Sequence, residues 1–310
     1  MIDYYFTGID ITSDAGKFLL EVGGCILLSQ FDRTPIKKII NEVKASDSKL
    51  KVFIDSGAFS AWTKGKPIDI DEYISFLNSI SPYITVAASV DVIPGAPRSS
   101  EVPSHDEILR SGEQTWKNYL YMRERLDEPD KLIFTYHFGE PEEYLTRALE
   151  YEDEKGKIKY IAFGGLVGKP AANIELFLTR CFQLIKNSSN PDIKTHAFGM
   201  TKTAVMQKFH LTSVDSTSIV LASALGKIIV NDKDYAISSK NKDQSILNLS
   251  ETSKEYINES VLNKYGFTID DLKDNSNNRL TFNVKSTYDF MSHLEVDENK
   301  NKFKFKPSLW

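Results

Sequence analysis

Short apolar runs recur from Gly24 to Asp215, at Gly24–Leu28, Lys51–Asp55, Ile84–Asp91, Lys131–His137, Lys159–Gly164, Lys194–Gly199 and Leu211–Asp215. Between most of them lie stretches with helical periodicity, such as Ile68–Ile80, Ser111–Leu126, Glu142–Tyr151 and Asn173–Lys186. Strand-like runs alternating with helical stretches indicate parallel strands joined by crossover helices. Seven placed runs and one uncertain eighth favour an α/β fold of the (β/α)8 TIM-barrel type. A doubly wound open sheet is the alternative.

Past Asn231 the beat is lost, and Asn, Lys, Asp and Ser become dense. Thr252–Lys264 still reads as a helix, stopped by Gly266, and Thr268–Lys273 as a short one. The run Lys302-Phe303-Lys304-Phe305-Lys306 alternates with period two, as an edge strand with one aromatic and one basic face would. The expected organisation is a catalytic barrel over 1–230 and a C-terminal appendage over 231–310, the latter a candidate for nucleic-acid contact.

Composition narrows the class. With 310 residues, 41% hydrophobic and 26% charged, the chain is globular and long enough for one large domain or a domain with an appendage. No apolar stretch approaches a membrane span, and the start Met1-Ile2-Asp3-Tyr4 lacks the basic and apolar regions of a signal peptide. The expectation is a cytoplasmic protein with no membrane partner. Cys25 and Cys181 are the only cysteines, which excludes a disulfide framework and a cysteine-rich zinc site. A net charge of −5 leaves no whole-chain basic footprint for nucleic acid. A local basic patch would still act on a phosphate within a Debye length, ~8 Å at physiological salt.

Three of the apolar runs end in a carboxylate: Asp55, Asp91 and Asp215. The carboxyl ends of strands are where α/β barrels gather catalytic groups. The most specific string is Asp55-Ser56-Gly57-Ala58-Phe59-Ser60-Ala61-Trp62, in which an ionisable strand end meets small residues and then a stacking aromatic. A carboxylate such as Asp215 can attack a sugar carbon while a second carboxyl group handles protons. Asp91 has the paired acceptors that suit the N–H edge of a guanine-like base. For each aspartate the plainer alternative is a helix cap or a turn. Gly164-Gly165-Leu166-Val167-Gly168-Lys169 offers backbone amides to a ligand, but its spacing is neither a P-loop nor a dinucleotide fingerprint. Phe198 follows a strand and is either core or, with Phe59, one wall of a sandwich for a flat heterocycle. His137, by itself, reads as structural. His105, His210 and His293 show no metal-ligand spacing, so no metal and no other cofactor is expected.

Together these strings resemble the tRNA-guanine transglycosylase superfamily, (β/α)8 barrels that exchange guanine in a nucleic acid for a 7-deazaguanine. The resemblance runs from about Lys51 to Ser218. It implies that Asp55 is the general acid/base, with Ser56 beside it, and that Phe59 stacks on the base. It implies that Asp91 recognises the base, with His137 near a base-reading glutamine position. Gly164-Gly165-Leu166 falls on the family's glycine loop, Phe198-Gly199 on the opposite wall of the sandwich, and Asp215 on the nucleophile.

Two departures separate this chain from the tRNA enzymes. Those carry a zinc site of three cysteines and a histidine after the nucleophile, whereas no cysteine follows Cys181 here. Lys169 stands where the queuosine-type enzymes place a glutamate, so the aminomethyl base is not implied. The strings around Asp215 and Ser56–Trp62 are similar to the DNA-modifying branch, the DpdA-like enzymes of bacterial islands and phages. The implied reaction replaces guanine in DNA by a base such as 7-cyano-7-deazaguanine, through a covalent aspartyl-glycosyl intermediate. Asp215 attacks C1′ of an extruded nucleotide, and Asp55 then takes the N9 proton of the incoming base. Lys64, Lys66, Arg98, Lys169 and Lys202 follow strand ends and are the expected phosphate contacts, although lysines there are also ordinary solvated residues. The same chemistry on tRNA is the close alternative. A phosphate-binding lyase or isomerase gripping its ligand with Gly164–Lys169 is the remote one.

Overall fold

Successive residues of a strand point to opposite faces, and that parity explains most of this molecule. The computed structural model describes residues 2–46, 48–96, 102–238 and 246–297. In chain order the elements begin β1 (Asp3–Thr7), α1 (Asp14–Val22), β2 (Cys25–Ser29), α2 (Arg33–Ala45), β3 (Lys51–Asp55), α3 (Ala58–Lys64) and α4 (Ile70–Ile80). They continue with β4 (Val86–Ala88), α5 (His105–Arg125), β5 (Leu132–His137) and α6 (Glu142–Glu150). A small hairpin of β6 (Glu152–Asp153) and β7 (Gly156–Lys157) comes next. Then follow β8 (Tyr160–Gly164), α7 (Ala171–Asn187), β9 (Lys194–Ala197), α8 (Thr203–Met206), β10 (Ser213–Ser216) and α9 (Ser218–Ala224).

Eight parallel strands close in the order β1-β2-β3-β4-β5-β8-β9-β10 and back to β1. The fold is therefore the (β/α)8 barrel. The uncertain eighth strand is β1, which pairs Tyr5 with Cys25 on one side and with Asp215 on the other. One parity of the strands, including Tyr4, Phe6, Ile26, Leu28, Val52, Ile54, Phe134, Phe163 and Val214, joins the core beneath the helices. The other parity, Tyr5, Leu27, Phe53, Val86, Ile133, Tyr160 and Ala162 among them, fills the barrel interior. Asp55 lies two residues after Phe53, and His137 and Gly164 continue the inward rows of Ile133 and Ala162. Polar residues at these strand ends thus form the top layer of the interior.

Element boundaries depart from the pattern in two instructive places. The helix expected from Ser111 begins at His105, because a capping box between Ser104 and Glu107 starts it in a polar stretch with no apolar period. The strand expected to reach Asp91 stops at Ala88. Ser89 still donates to the Ile133 carbonyl of β5 at 3.0 Å, and from Val90 on the chain bonds to α5. Asn118 donates to the Val90 carbonyl at 3.0 Å, and the Val92 amide donates to Thr115 Oγ1 at 2.9 Å. Asp91 therefore sits on a loop pinned by a helix, not on a strand end.

After the barrel come the hairpin β11 (Lys227–Val230) and β12 (Lys233–Ala236), then α10 (Glu251–Tyr256), α11 (Ile269–Lys273) and α12 (Ser276–Ser292). The helix expected over Thr252–Lys264 is helical throughout but passes from α10 through a π turn (Ile257–Leu262) to a 3-10 turn (Asn263–Tyr265). Nothing in the pattern announced α12, whose docking relies on polar groups. Arg279 donates to the carbonyls of Ser223, Leu272 and Lys273, and Asn283 bonds Ile229 N, Ser223 Oγ and Lys227 O. Phe282 enters a satellite core with Ile228, Ile257 and Leu262. Val284, Met291 and Leu294 join the main core. The alternating Lys302–Lys306 run lies outside the described residues. No helix among the described residues is long and apolar enough to cross a membrane.

Candidate active site

A cavity of about 880 Å³ opens at the carboxyl ends of the strands, walled by segments following β1, β2, β3, β8, β9 and β10. Asp55, Asp215, Phe59 and Phe198 all line it. Four of the residues expected to act on a flat sugar-linked base therefore share one chamber. Neither carboxylate caps a helix. The N-cap of α3 is Gly57 and that of α9 is Thr217, without side-chain cap bonds. The capping alternative fails for both.

Asp55 accepts a bond from the Gly57 amide to Oδ2 at 2.9 Å. Gly57 adopts φ 73°, and a Cβ there would lie 2.6 Å from the Phe31 ring, so glycine is needed to bring this amide in. Burial, then the negative charge of Asp91, push the Asp55 carboxyl up to about 7, with Asp215 adding to the rise. A carboxyl group that titrates near ambient pH serves equally as proton donor and acceptor.

Asp215 is held differently. His196 Nε2 at 3.2 Å and the Gly199 amide at 2.9 Å both meet its Oδ1. Its Oδ2 has no hydrogen-bond partner among the described residues. Behind it, His196 Nδ1 lies 2.6 Å from Ser213 Oγ, which lies 2.6 Å from the Tyr160 hydroxyl. The order Ser213–His196–Asp215 has the members of an acyl-transfer triad, but it is turned inside out. Ser213 is fully buried in the barrel while Asp215 faces the cavity. A hydroxyl so placed meets no substrate, and a serine-nucleophile reading is excluded.

Asp91, His137 and Gly164 form a second group that is not on the cavity wall. His137 Nε2 is 2.9 Å from Asp91 Oδ2, and Nδ1 is 3.1 Å from Glu140 Oε1. Burial opposes charge on this ring, but the two carboxylates outweigh it and raise the group to about 10. Ser56 Oγ reaches Asp91 Oδ1 at 3.4 Å. His137 is thus an imidazolium clamped on both nitrogens, in keeping with the structural reading it had from sequence alone. Asp91 has a partner on each oxygen and spare lone pairs on both.

Gly164 exists for this clamp. A Cβ on it would lie 2.5 Å from His137 Cδ2, and the ring, fixed at both nitrogens, has nowhere to go. Gly164→Ala is expected to lower stability by about 2 kcal/mol, read from the denaturant midpoint. An unchanged midpoint would mean that the clamp yields.

The two aromatics flank the cavity without touching. Phe198 lies on its floor, edge-on to His196 with ring centroids 4.6 Å apart. Phe59 stands at the rim, 65% exposed, tilted against Trp62. An aromatic this exposed has its stacking face available to a ligand. From the glycine loop, Leu166, Val167 and Gly168 line the wall while Gly165 does not. Lys169 turns away, with its ammonium 5.1 Å from the Phe138 ring centroid. That weakens the phosphate-grip alternative. Of the expected phosphate contacts, Lys202 lines the cavity, Lys64 and Lys66 are exposed outside it, and Arg98 lies outside the described residues.

Sequence reasoning missed His196, Ser213, Tyr160 and Glu140. Parity held a partial signal, because His196 and Phe198 share a face of one strand, as Ser213 and Asp215 do of another. Only the register that sets Ser213 opposite His196 joins them. The cavity wall also carries Lys38, which drew no notice in the sequence. Among the described residues, no three or more His, Cys, Asp or Glu side chains are grouped as a metal site. No protein-family model matches the chain, and no curated protein matches it significantly.

Proposed function

We propose that this protein exchanges guanine in DNA for a 7-deazaguanine base by double displacement. The observation that carries the reading is the unequal pair Asp55 and Asp215 on one cavity, one raised to about 7 and the other held by a single oxygen. In this reading the target nucleotide leaves its stack, at a cost of about a few kcal/mol, and its base lies between Phe59 and Phe198. Asp215 Oδ2 forms a bond to C1′ as the C1′–N9 bond breaks. The electron pair leaves with guanine, which takes the proton of neutral Asp55. The 7-deazaguanine then enters, N9 attacks C1′, and its proton passes to the Asp55 carboxylate. The Asp215–C1′ bond breaks and both carboxyl groups return to their starting states. Two displacements retain the anomeric configuration. Asp91 is not on the cavity wall, and its part in this reading is electrostatic: its charge raises Asp55, while His137 holds its carboxylate in place.

The test is incubation of the protein with DNA or tRNA and labelled guanine or 7-cyano-7-deazaguanine, followed by mass spectrometry of the nucleosides. Label in DNA is the expected result. Label in tRNA alone would move the same chemistry to the other polymer, and label in neither would overturn the reading.

A further inference from the structure

The barrel interior below Asp215 holds a hydrogen-bonded chain that no step of the exchange uses directly. Tyr160 on β8, His196 on β9 and Ser213 on β10 are buried, and links of 2.6, 2.6 and 3.2 Å lead through them to Asp215. The directions of these bonds can be assigned. A carboxylate only accepts, so His196 Nε2 carries a proton. The Tyr160 hydroxyl meets no other acceptor among the described residues, so its hydrogen points to Ser213 Oγ. Burial keeps that phenol protonated by raising it well above its ordinary range. Ser213 then sends its own hydrogen to His196 Nδ1, and the ring is the neutral Nε2–H tautomer.

We propose that His196 is the positioning residue of Asp215, fixing Oδ1 so that Oδ2 is the oxygen presented to the sugar, with Ser213 and Tyr160 setting the tautomer from inside the barrel. Two donors on one oxygen stop rotation of the carboxylate about its Cβ–Cγ bond. Removing His196 leaves the Gly199 amide as a single pivot. The ring has a further anchor in its edge contacts with Phe53 and Phe198, at centroid distances of 4.9 and 4.6 Å. His196 therefore has one orientation, and Asp215 takes its own from it. The proposal rests on Asp215 being the nucleophile of the exchange reaction.

The experiment compares His196→Met, which keeps bulk without a donor, with His196→Gln, whose amide N–H reaches the place of Nε2. In the Met variant kcat should fall on the order of 10- to 100-fold with KM for the nucleic acid unchanged, as expected when a reacting group loses its alignment. The Gln variant should recover most of that loss, and Ser213→Ala should lower kcat less than the Met change. Ring nitrogen NMR, with His196 assigned by its absence from the Gln variant, should read the Nε2–H tautomer. Wild-type turnover in the Met variant would overturn the proposal. So would equal losses in Met and Gln that track their melting temperatures, or an Nδ1–H ring. Undiminished exchange by Asp215→Asn would instead sink the nucleophile assignment, and the NMR tautomer tests the hydrogen-bonded chain whichever way that falls.

Discussion

Asp215→Asn is expected to lower base exchange by at least about 10⁴-fold, the scale of losing a covalent nucleophile, while the protein melts within a few degrees of wild type. The two effects separate because of how the side chain is held. Both bonds from His196 and Gly199 end on Oδ1. An asparagine carbonyl oxygen accepts them equally well, and the amide nitrogen then occupies the place of Oδ2. An amide nitrogen is a poor nucleophile toward C1′, so the chemistry is lost and the packing is kept. Parallel initial-rate and thermal-melt measurements check this. Exchange near the wild-type rate would remove Asp215 from the mechanism.

Asp55→Asn should cost most of the activity and, at alkaline pH, add stability. Burial and the neighbouring charges raise the Asp55 carboxyl from 3.8 to about 7. Between those values the folded protein holds a proton that the unfolded chain has released. Stability therefore declines as pH rises through this window, and the deficit is complete above about pH 7. At about 1.4 kcal/mol per pH unit the ceiling is about 4 kcal/mol, and partial exposure of Asp55 brings the expectation to about 2 kcal/mol. Denaturant titrations should place the Asn variant above wild type by that amount at pH 8 and level with it at pH 4. Equal stabilities at both values would mean that Asp55 is not perturbed. The exchange rate of the wild type should inflect near pH 7, since Asp55 must be neutral for guanine to leave and ionised for the new base to attack. His137 adds a separate slope. Its stabilising charge, raised from 6.5 to about 10, is present below pH 6.5 and lost as pH climbs through 10.

Asp55 and Asp215 were legible as a pair because strand runs end visibly, and parallel strands deliver their carboxyl ends to one rim. Phe59 and Phe198 followed from the same placement. What the pattern did not carry was register. The contact of His196 with Asp215 depends on how far β9 is slid along β10, and no local residue choice encodes that. Asp91 looked like a third strand end, yet α5 draws its segment off the sheet through Thr115 and Asn118, side chains far away in sequence. The lysines seemed equivalent after their strands, but Lys202 faces the cavity whereas Lys169 lies over Phe138. Finally, α12 escaped notice because its buried face mixes Phe282, Val284 and Met291 with Arg279 and Asn283, which dock by hydrogen bonds, so that no continuous apolar stripe marks it.

The most direct measurement of the central claim is peptide mass spectrometry on protein denatured during turnover with DNA and labelled 7-deazaguanine. The expected result is a glycosyl adduct on the peptide containing Asp215, absent from Asp215→Asn and still formed in part by Asp55→Ala. Exchange without any adduct, or an adduct on Asp55, would contradict the account.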